Sequence, residues 1–463
     1  MVLIRRPGVL ACLRLEACGR RWAALGIVLA GLHLGGCSES LFGAHQAGQR
    51  GDAGDGGSDG GNDGGNGVVG CTNPCNADVA ADFDGTLHGA HGRWRYLDDH
   101  RDRTWTPMTV GTLVMTGADP GTRITTCKTS PGSPACSTLP GALLVSSPNK
   151  PSTSDPAIEL TVADPQVLQL QLKVFVPPGA ADQQILLYRN SREDALFTGP
   201  ATAGILLSHT ITLDALPRDR FLVAVASTTA GAIDVGVDLS TTATGAAFPA
   251  SCQLAVSFAS ATGNTVNDLC GNTVFTHYIA TTATPPRLGD GPFPEQGSAI
   301  DLGLGEYLAR GVGGDPSLSL LDWSQDVTVQ LWAKINGFVI NSSAVLFSDL
   351  DLDFGRGIDI SLTQSSLVKL DVQTCATTSP ITVSDASSTY QNPDKWQFIR
   401  AVRAGGQVRV CVNGKLVASA SAATCNAPSA WVPQLGQHAD IQGANVNGTL
   451  DDVRVFTGAL PCN

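Results

Sequence analysis

Charge is scarce in this 463-residue chain: Asp, Glu, Lys and Arg together make up 15% of it, and the formal net charge is −12. So little charge argues against long charged helices, and an acidic balance leaves no basic surface with which to hold nucleic acid. Aromatic residues, at 6%, offer few candidates for a sugar-stacking platform. The apolar stretch Trp22–Leu34 falls short of the roughly 20 residues a membrane-spanning helix needs, and Gly26, Gly31 and His33 weaken it further. Glutamate is nearly missing from the C-terminal half, where only Glu295 and Glu306 occur. What is abundant is Gly, Ala, Thr and Val, a mixture suited to short strands joined by turns.

The N-terminus reads as a processing signal. Arg5, Arg6, Arg14, Arg20 and Arg21 form a basic region ahead of or beside the apolar stretch, which closes on Leu34-Gly35-Gly36-Cys37. This resembles a bacterial lipobox, with Gly at 35 where Ala or Ser is more usual. The resemblance implies that residues 1–36 are a lipoprotein signal peptide and that the Cys37 thiol carries diacylglycerol. The chain would then sit in the bacterial cell envelope, touching the membrane through its lipid anchor only. Ser38 supplies no Asp retention signal, which favours the outer membrane or cell surface. Residues 1–36 carry five Arg and one Glu, so the mature chain would have a net charge of −16. Such a chain stays soluble and could attract divalent cations.

Residues 37–70 read as the lipidated Cys and a tether, because 51–67, GDAGDGGSDGGNDGGNG, have nothing to bury. The G-x-S-x-G match at Gly56–Gly60 lacks the strand and helix that a nucleophile elbow requires. Residues 71–249 show short apolar or alternating runs at Gly111–Met115, Ala157–Val162, Val167–Val176, Gln184–Tyr188, Ile205–Leu213, Phe221–Ser227 and Ile233–Leu239, separated by turn residues such as Leu216-Pro-Arg-Asp219. That pattern predicts an antiparallel β-sandwich of unassigned family. His88, His91 and His100, with Asp98 and Asp99, form a cluster of metal-ligating residue types in loop-like sequence. Ten cysteines remain beyond the signal and anchor: Cys71, Cys75, Cys127, Cys136, Cys252, Cys270, Cys375, Cys411, Cys425 and Cys462. An even number in an exported chain predicts disulfides, Cys127 and Cys136 among the candidates.

Residues 250–463 carry a more specific set of segments: Leu254-Ala-Val-Ser-Phe258; Gly263-Asn-Thr-Val-Asn-Asp268 with Gly271-Asn272; Gly297-Ser-Ala-Ile-Asp-Leu302; Asp326-Val-Thr-Val-Gln-Leu-Trp-Ala-Lys334; Lys395-Trp-Gln-Phe-Ile-Arg400; Val408–Val417 around Asn413-Gly414; Gln434-Leu-Gly436; and Gly448–Phe456. In this order they resemble a LamG-like jelly-roll domain of the concanavalin A-like lectin/glucanase superfamily. Asn413-Gly414 is the strongest short-range hairpin signal among them. In Val327–Ile335, Val327, Val329, Leu331, Ala333 and Ile335 share one face, opposite Thr328, Gln330, Trp332 and Lys334. The expected fold is therefore all-β, two antiparallel sandwich domains after the signal and the Gly/Asp linker.

The resemblance also implies that the first and last strands of this domain are antiparallel neighbours, which would bring Cys252 and Cys462 together as a disulfide and leave Cys270, Cys375, Cys411 and Cys425 to pair among themselves. Possible Ca²⁺ ligands are Asp349, Asp351 and Asp353, which alternate onto one face, and Asp452 beside Asp451 ahead of the last strand. Trp323, Trp396 and Trp431 are the candidate glycan-stacking rings. Glycoside hydrolases of the superfamily carry paired Glu on one strand, whereas Glu295 and Glu306 lie eleven residues apart in loop-like sequence, so no catalytic pair and no enzyme is expected. The function these readings imply is extracytoplasmic recognition of a glycan or an extracellular protein. The alternatives are an accessory or degenerate carbohydrate-active enzyme and a structural or adhesion protein without a small ligand.

Overall fold

A computed structural model describes residues 70–462 apart from 73–74, 84–92, 112, 120, 147–152, 227–232, 245–250, 259–260, 271–273, 281, 294–297, 311–323, 338–342, 351–356, 365–367, 375–380, 392–394, 423–431 and 439–444. All of the described residues fall in one compact unit, Gly65–Asn463. Cys37 and the Gly/Asp tether lie outside the described residues, as do Cys375, Cys425, Asp351, Asp353, His88, His91, Trp323 and Trp431.

Strand follows strand because Val, Ile, Leu and Thr alternate with polar residues over short lengths and turn residues interrupt them. Among the described residues they assemble into four antiparallel sheets. Sheet A has eight strands, in the order Leu206–Ala215, Gln166–Phe175, Asp234–Ala243, Leu143–Ser146, Arg123–Thr126, Val114–Thr116 and Thr109–Gly111, with Ala77–Asp78 paired to Asp234–Ala243. Sheet B has six, in the order Ala195–Ala201, Gln183–Arg189, Arg220–Ala226, Asp155–Thr161, Trp94–Asp99 and Trp105–Pro107. Together they enclose one aliphatic core that includes Leu143, Ile158, Leu172, Val174, Ile185, Phe221 and Val237. The run expected at 111–115 divides, since Leu113 takes a left-handed φ of 57° and turns Thr109–Gly111 back onto Val114–Thr116.

Sheet C has eight strands, in the order Arg287–Asp290, Ser298–Leu302, Gly448–Thr457, Val327–Ile335, Gln397–Ala404, Gln407–Val412 and Lys415–Ser421, with Cys252–Val256 paired to Gly448–Thr457. Sheet D has nine, built around Val274–Ile279, Glu306–Ala309, Gln434–Leu435, Ser343–Ser348, Ile358–Gln364, Val368–Thr374 and Ile381–Ala386. Their shared core takes Val327, Val329, Leu331, Ala333 and Ile335 from the central strand of sheet C, the face that alternation selects, and closes on Phe347, Ile360, Leu370 and Val372 of sheet D. Asn413 and Gly414 turn at φ 50° and 80°, the two positive values a two-residue hairpin of this kind needs.

The expected Cys252–Cys462 disulfide is corrected. Cys252 is bonded to Cys270, and Cys462 to Cys411, so Cys270 and Cys411 do not pair within the set expected for them. The strand adjacency behind that expectation does hold, with Cys252 opposite Phe456. What differs is each cysteine's local path. Asp268 accepts hydrogen bonds from the Ala255 and Cys270 amides and folds the chain back so that Cys270 meets Cys252. Beyond Thr457 the tail leaves its strand and crosses the sheet: the Leu460 amide donates to Thr328 Oγ1 at 3.0 Å and Arg400 Nη1 donates to the Pro461 carbonyl at 2.7 Å. The five residues 458–462, extended, reach about 17 Å, enough to cross three strand spacings of about 4.8 Å each and arrive at Cys411. Cys71–Cys75 and Cys127–Cys136 are also bonded.

Candidate binding site at the seam between the sandwiches

The outer face of sheet B lies against the outer face of sheet C, and ionised side chains fill the seam. Asp194, in the turn after strand Gln183–Arg189, receives Arg189 Nε at 2.8 Å and is hydrogen-bonded by Arg400 Nη2 from the other sandwich. Burial raises the Asp194 carboxyl, but the charges of Arg189 and Arg400 outweigh it and hold the group below the ordinary carboxylate range. Asp219 receives both terminal nitrogens of Arg454 at 2.9 and 2.7 Å, and the same balance of burial against Arg454 lowers it. Sheet B supplies its own inner layer: Glu159 pairs with Arg220 and Arg95, while Arg192 spans Asp99 and Asp155. Arg103 pairs with Glu193 of its own sandwich and reaches across to the Trp396 carbonyl and the face of the Trp332 ring, 4.7 Å from its centroid.

The few aromatic residues concentrate here as well. Phe293, Trp332 and Phe398 form a buried cluster against Trp105 and Trp396. Trp396, expected as a possible stacking platform, is half-buried and lies 5.3 Å beneath Lys334 Nζ, so its ring forms part of the seam wall.

At one edge of the seam the two sandwiches leave a cavity of about 250 Å³. Sheet B contributes Arg189, strand Leu206–Ala215 contributes Thr212, Leu213 and Asp214, and the second sandwich contributes Ser251, Phe456 and the tail Thr457–Leu460. Asp214 is 7% exposed, its Oδ2 accepts a hydrogen bond from Ser251 Oγ, and burial raises its carboxyl despite that bond and the charges of Arg189 and Arg454. Arg189 stacks on the Phe456 ring at 5.4 Å, and its Nη2 is buried without a hydrogen-bond partner. Neither Asp214 nor Arg189 carried a signal in the sequence, because each looks like an ordinary strand-end residue and the wall they help to form comes from both sandwiches.

Of the residues singled out from sequence for metal, Asp349, Asp452, Asp98, Asp99 and His100 are described. Asp349, following Ser343–Ser348 in sheet D, is fully buried and caps the Ile358 amide at 2.8 Å. Asp452 lies in the opposite sheet, with φ 47° and Arg454 Nε at 2.5 Å. Asp98 accepts from the Ala118 amide, Asp99 from Tyr188 and Arg192, and His100 Nε2 is 2.9 Å from Thr106 Oγ1. The described members of the His/Asp cluster thus serve loop and seam hydrogen bonds, while His88 and His91 lie outside the described residues. Among the described residues no three His, Cys, Asp or Glu side chains are placed to hold one ion. On sheet D, Asp359 forms a second buried polar feature. Burial pushes its carboxyl up to about 7, against hydrogen bonds from Ser361 and Ser348, and His438 Nε2 stands 3.7 Å from it.

No curated protein matches the chain. Domain 4 of AbnA, a GH43 extracellular arabinanase from Geobacillus stearothermophilus solved with arabinotriose, is 19% identical over 46% of this chain and 94% of that one, with a TM-score of 0.35. A structure of botulinum neurotoxin type C, whose cell entry depends on interaction with two ganglioside molecules, is 14% identical with a TM-score of 0.34, and the match spans 46% of this chain and only 49% of that one. The Ruminococcus gnavus IT-sialidase CBM40 is 14% identical over 35% of this chain and 91% of that one, with a TM-score of 0.27. Residues 314–462, which hold most of the second sandwich, match the family model described as the concanavalin A-like lectin/glucanases superfamily, and this region is similar to that superfamily.

Proposed function

We propose that the protein is a lipid-anchored envelope protein that displays its second sandwich for recognition of glycan outside the cytoplasm. The observation that carries the recognition reading is the match of residues 314–462 to a superfamily named for lectins and glucanases. Fold alone does not choose the ligand. A glycan array probed with the full chain tests the reading: retention of one glycan class supports it, and a blank array, with the protein folded, overturns it. The anchor is tested separately. Cys37→Ser should abolish lipid labelling and release the protein from membrane fractions, and an unchanged membrane-bound mature form would overturn the lipoprotein assignment.

A further inference from the structure

Two groups lining the seam cavity stand apart from the surrounding ion network, Asp214 without an arginine hydrogen bond and Arg189 with one nitrogen unpaired. Asp194, Asp219 and Asp452 each have an arginine within 3 Å, whereas Asp214, 7% exposed, has only the hydroxyl of Ser251 as a hydrogen-bond partner among the described residues. Arg189 spends Nε on Asp194 and keeps Nη2 without a partner although the residue is 2% exposed. Buried polar groups of this kind carry a desolvation cost until something hydrogen-bonds them. The space beside them is far larger than the ~10–15 Å³ one water needs and below the range of about 300–1,000 Å³ of drug-sized ligand pockets. Its remaining walls are mixed: Leu196, Leu213, Phe456 and Leu460 are apolar, and Thr212 and Thr457 bring hydroxyls.

From this lining we infer that the cavity binds one neutral sugar residue, a hexopyranose, with adjacent hydroxyls donating to Asp214 and accepting from Arg189 and its C–H face against Phe456 and Leu460. Adjacent hydroxyls suit this pair because each hydroxyl is both donor and acceptor, and a pyranose also offers an apolar edge. An anion suits it less, because it would stand beside Asp214, whose hydrogen bond comes from the neutral Ser251 hydroxyl, while the Arg189 guanidinium already serves Asp194. The inference rests on the glycan reading above and adds the site and the ligand class. It also makes the site a property of the docked pair, since Asp214 and Phe456 come from different sandwiches.

The test titrates the full chain with methyl hexopyranosides and with a methyl hexuronide, by calorimetry or saturation-transfer NMR. Ala459, exposed in the tail wall, is changed to Trp to fill the cavity without touching the ion network. Asp214→Asn removes the charged acceptor. A neutral glycoside should bind, lose affinity about ten- to hundredfold in Asp214→Asn, as for a hydrogen bond to a charged group, and bind no longer in Ala459→Trp, whose melting temperature should stay that of the wild type. Glycoside binding unchanged in Ala459→Trp would overturn the site while leaving the glycan reading intact. Preference for the hexuronide would overturn the ligand class. Silence toward every glycoside, together with a blank array, would overturn both.

Discussion

Inside either sandwich the core is built mainly of aliphatic side chains: Leu172, Val174 and Ile185 in the first, Val329, Leu331 and Ile360 in the second. At the seam the residues just as deeply buried are Asp194, Arg400, Asp219 and Arg454. The two regions are equally closed to water and are held by different means. A core gains from apolar burial without requiring each side chain to meet one particular partner, at roughly 25 cal/mol per Å² of apolar surface. A seam of paired charges roughly offsets its own desolvation and gains only when every partner is in place. The seam can therefore dictate one docking geometry, and the cavity depends on that geometry for both of its walls.

The largest effect should come from breaking a seam pair. Asp194→Ala leaves Arg189 and Arg400 buried without their shared carboxylate and should cost about 3–5 kcal/mol. Leu331→Ala in the core should cost a comparable 2–5 kcal/mol. The two differ in rescue. Replacing the set together, with Asp194→Leu, Arg189→Met and Arg400→Met, should restore most of the stability lost at the seam, as for other buried ion pairs exchanged for apolar groups. Urea denaturation of the three proteins measures this. A triple variant no more stable than Asp194→Ala would mean that the charges stabilise the seam outright.

The interiors were legible in the sequence and the seam was not. The alternation of Val327–Ile335 selects the core face residue by residue. It also marks Thr328, Gln330, Trp332 and Lys334 as the other face, yet Gln330 and Trp332 are buried because a second sheet covers them. Alternation reports how polar a face is, not what lies over it. Leu216-Pro-Arg-Asp219 reads as a turn and is one, with Asp219 accepting the Leu216 amide at 2.8 Å. Its partner Arg454 lies 235 residues away, beyond any local pattern. The disulfide expectation failed for a related reason: strand order followed from the family resemblance, while the tail's path across sheet C did not.

The next effect concerns the tail that walls the cavity. Cys411–Cys462 closes a span of 51 residues, for which the chain-entropy model gives about 4 kcal/mol. Losing it by Cys411→Ser with Cys462→Ser should destabilise the second sandwich by up to that amount. Amide exchange should quicken at Thr457–Leu460 first, with the core of the first sandwich unaffected. Equal loosening of both cores would mean that the seam couples them more tightly than its buried pairs suggest.

A smaller effect distinguishes the seam's Asp194 and Asp219 from Asp359 on sheet D. Burial raises Asp359 to about 7, with the Asp371 charge adding to the rise and hydrogen bonds from Ser361 and Ser348 opposing it. In the unfolded chain the same group releases its proton near pH 4. The folded form therefore holds more protons between those values, and stability should fall as pH rises from about 4 to about 7. Asp194 and Asp219, lowered in the folded chain, act in the opposite sense: their contribution is present at neutral pH and is lost as pH falls below the usual carboxylate range. Asp359→Asn should flatten the decline toward pH 7 and leave the acid-side loss unchanged. Melting curves from pH 3 to 8 separate the two, and a decline that survives Asp359→Asn would move it to another group.

The smallest effect comes from two hairpin glycines that differ in what faces them. Gly406, in the turn between Gln397–Ala404 and Gln407–Val412, has φ 72°, and a Cβ built there meets nothing within 4 Å. Gly414, in the next hairpin, has φ 80°, but a Cβ there comes 3.0 Å from the Glu193 carbonyl oxygen of the first sandwich. Both pay the left-handed strain of an L-residue, about 1 kcal/mol for Ala. Only Gly414→Ala must also push on the seam, where Glu193 is tied to Arg103 and Arg103 lies over Trp332. Gly406→Ala should therefore lower stability by about 1 kcal/mol, and Gly414→Ala by somewhat more. The difference between them reads how rigidly the seam is packed, without removing any charge. If the seam is as close-packed as a core, it cannot yield by a few tenths of an ångström without cost, and Gly414→Ala should also weaken binding at the cavity edge. Equal melting temperatures for the two variants would mean that the sandwiches slide to accommodate a methyl group, and that the ion network fixes their order more than their spacing.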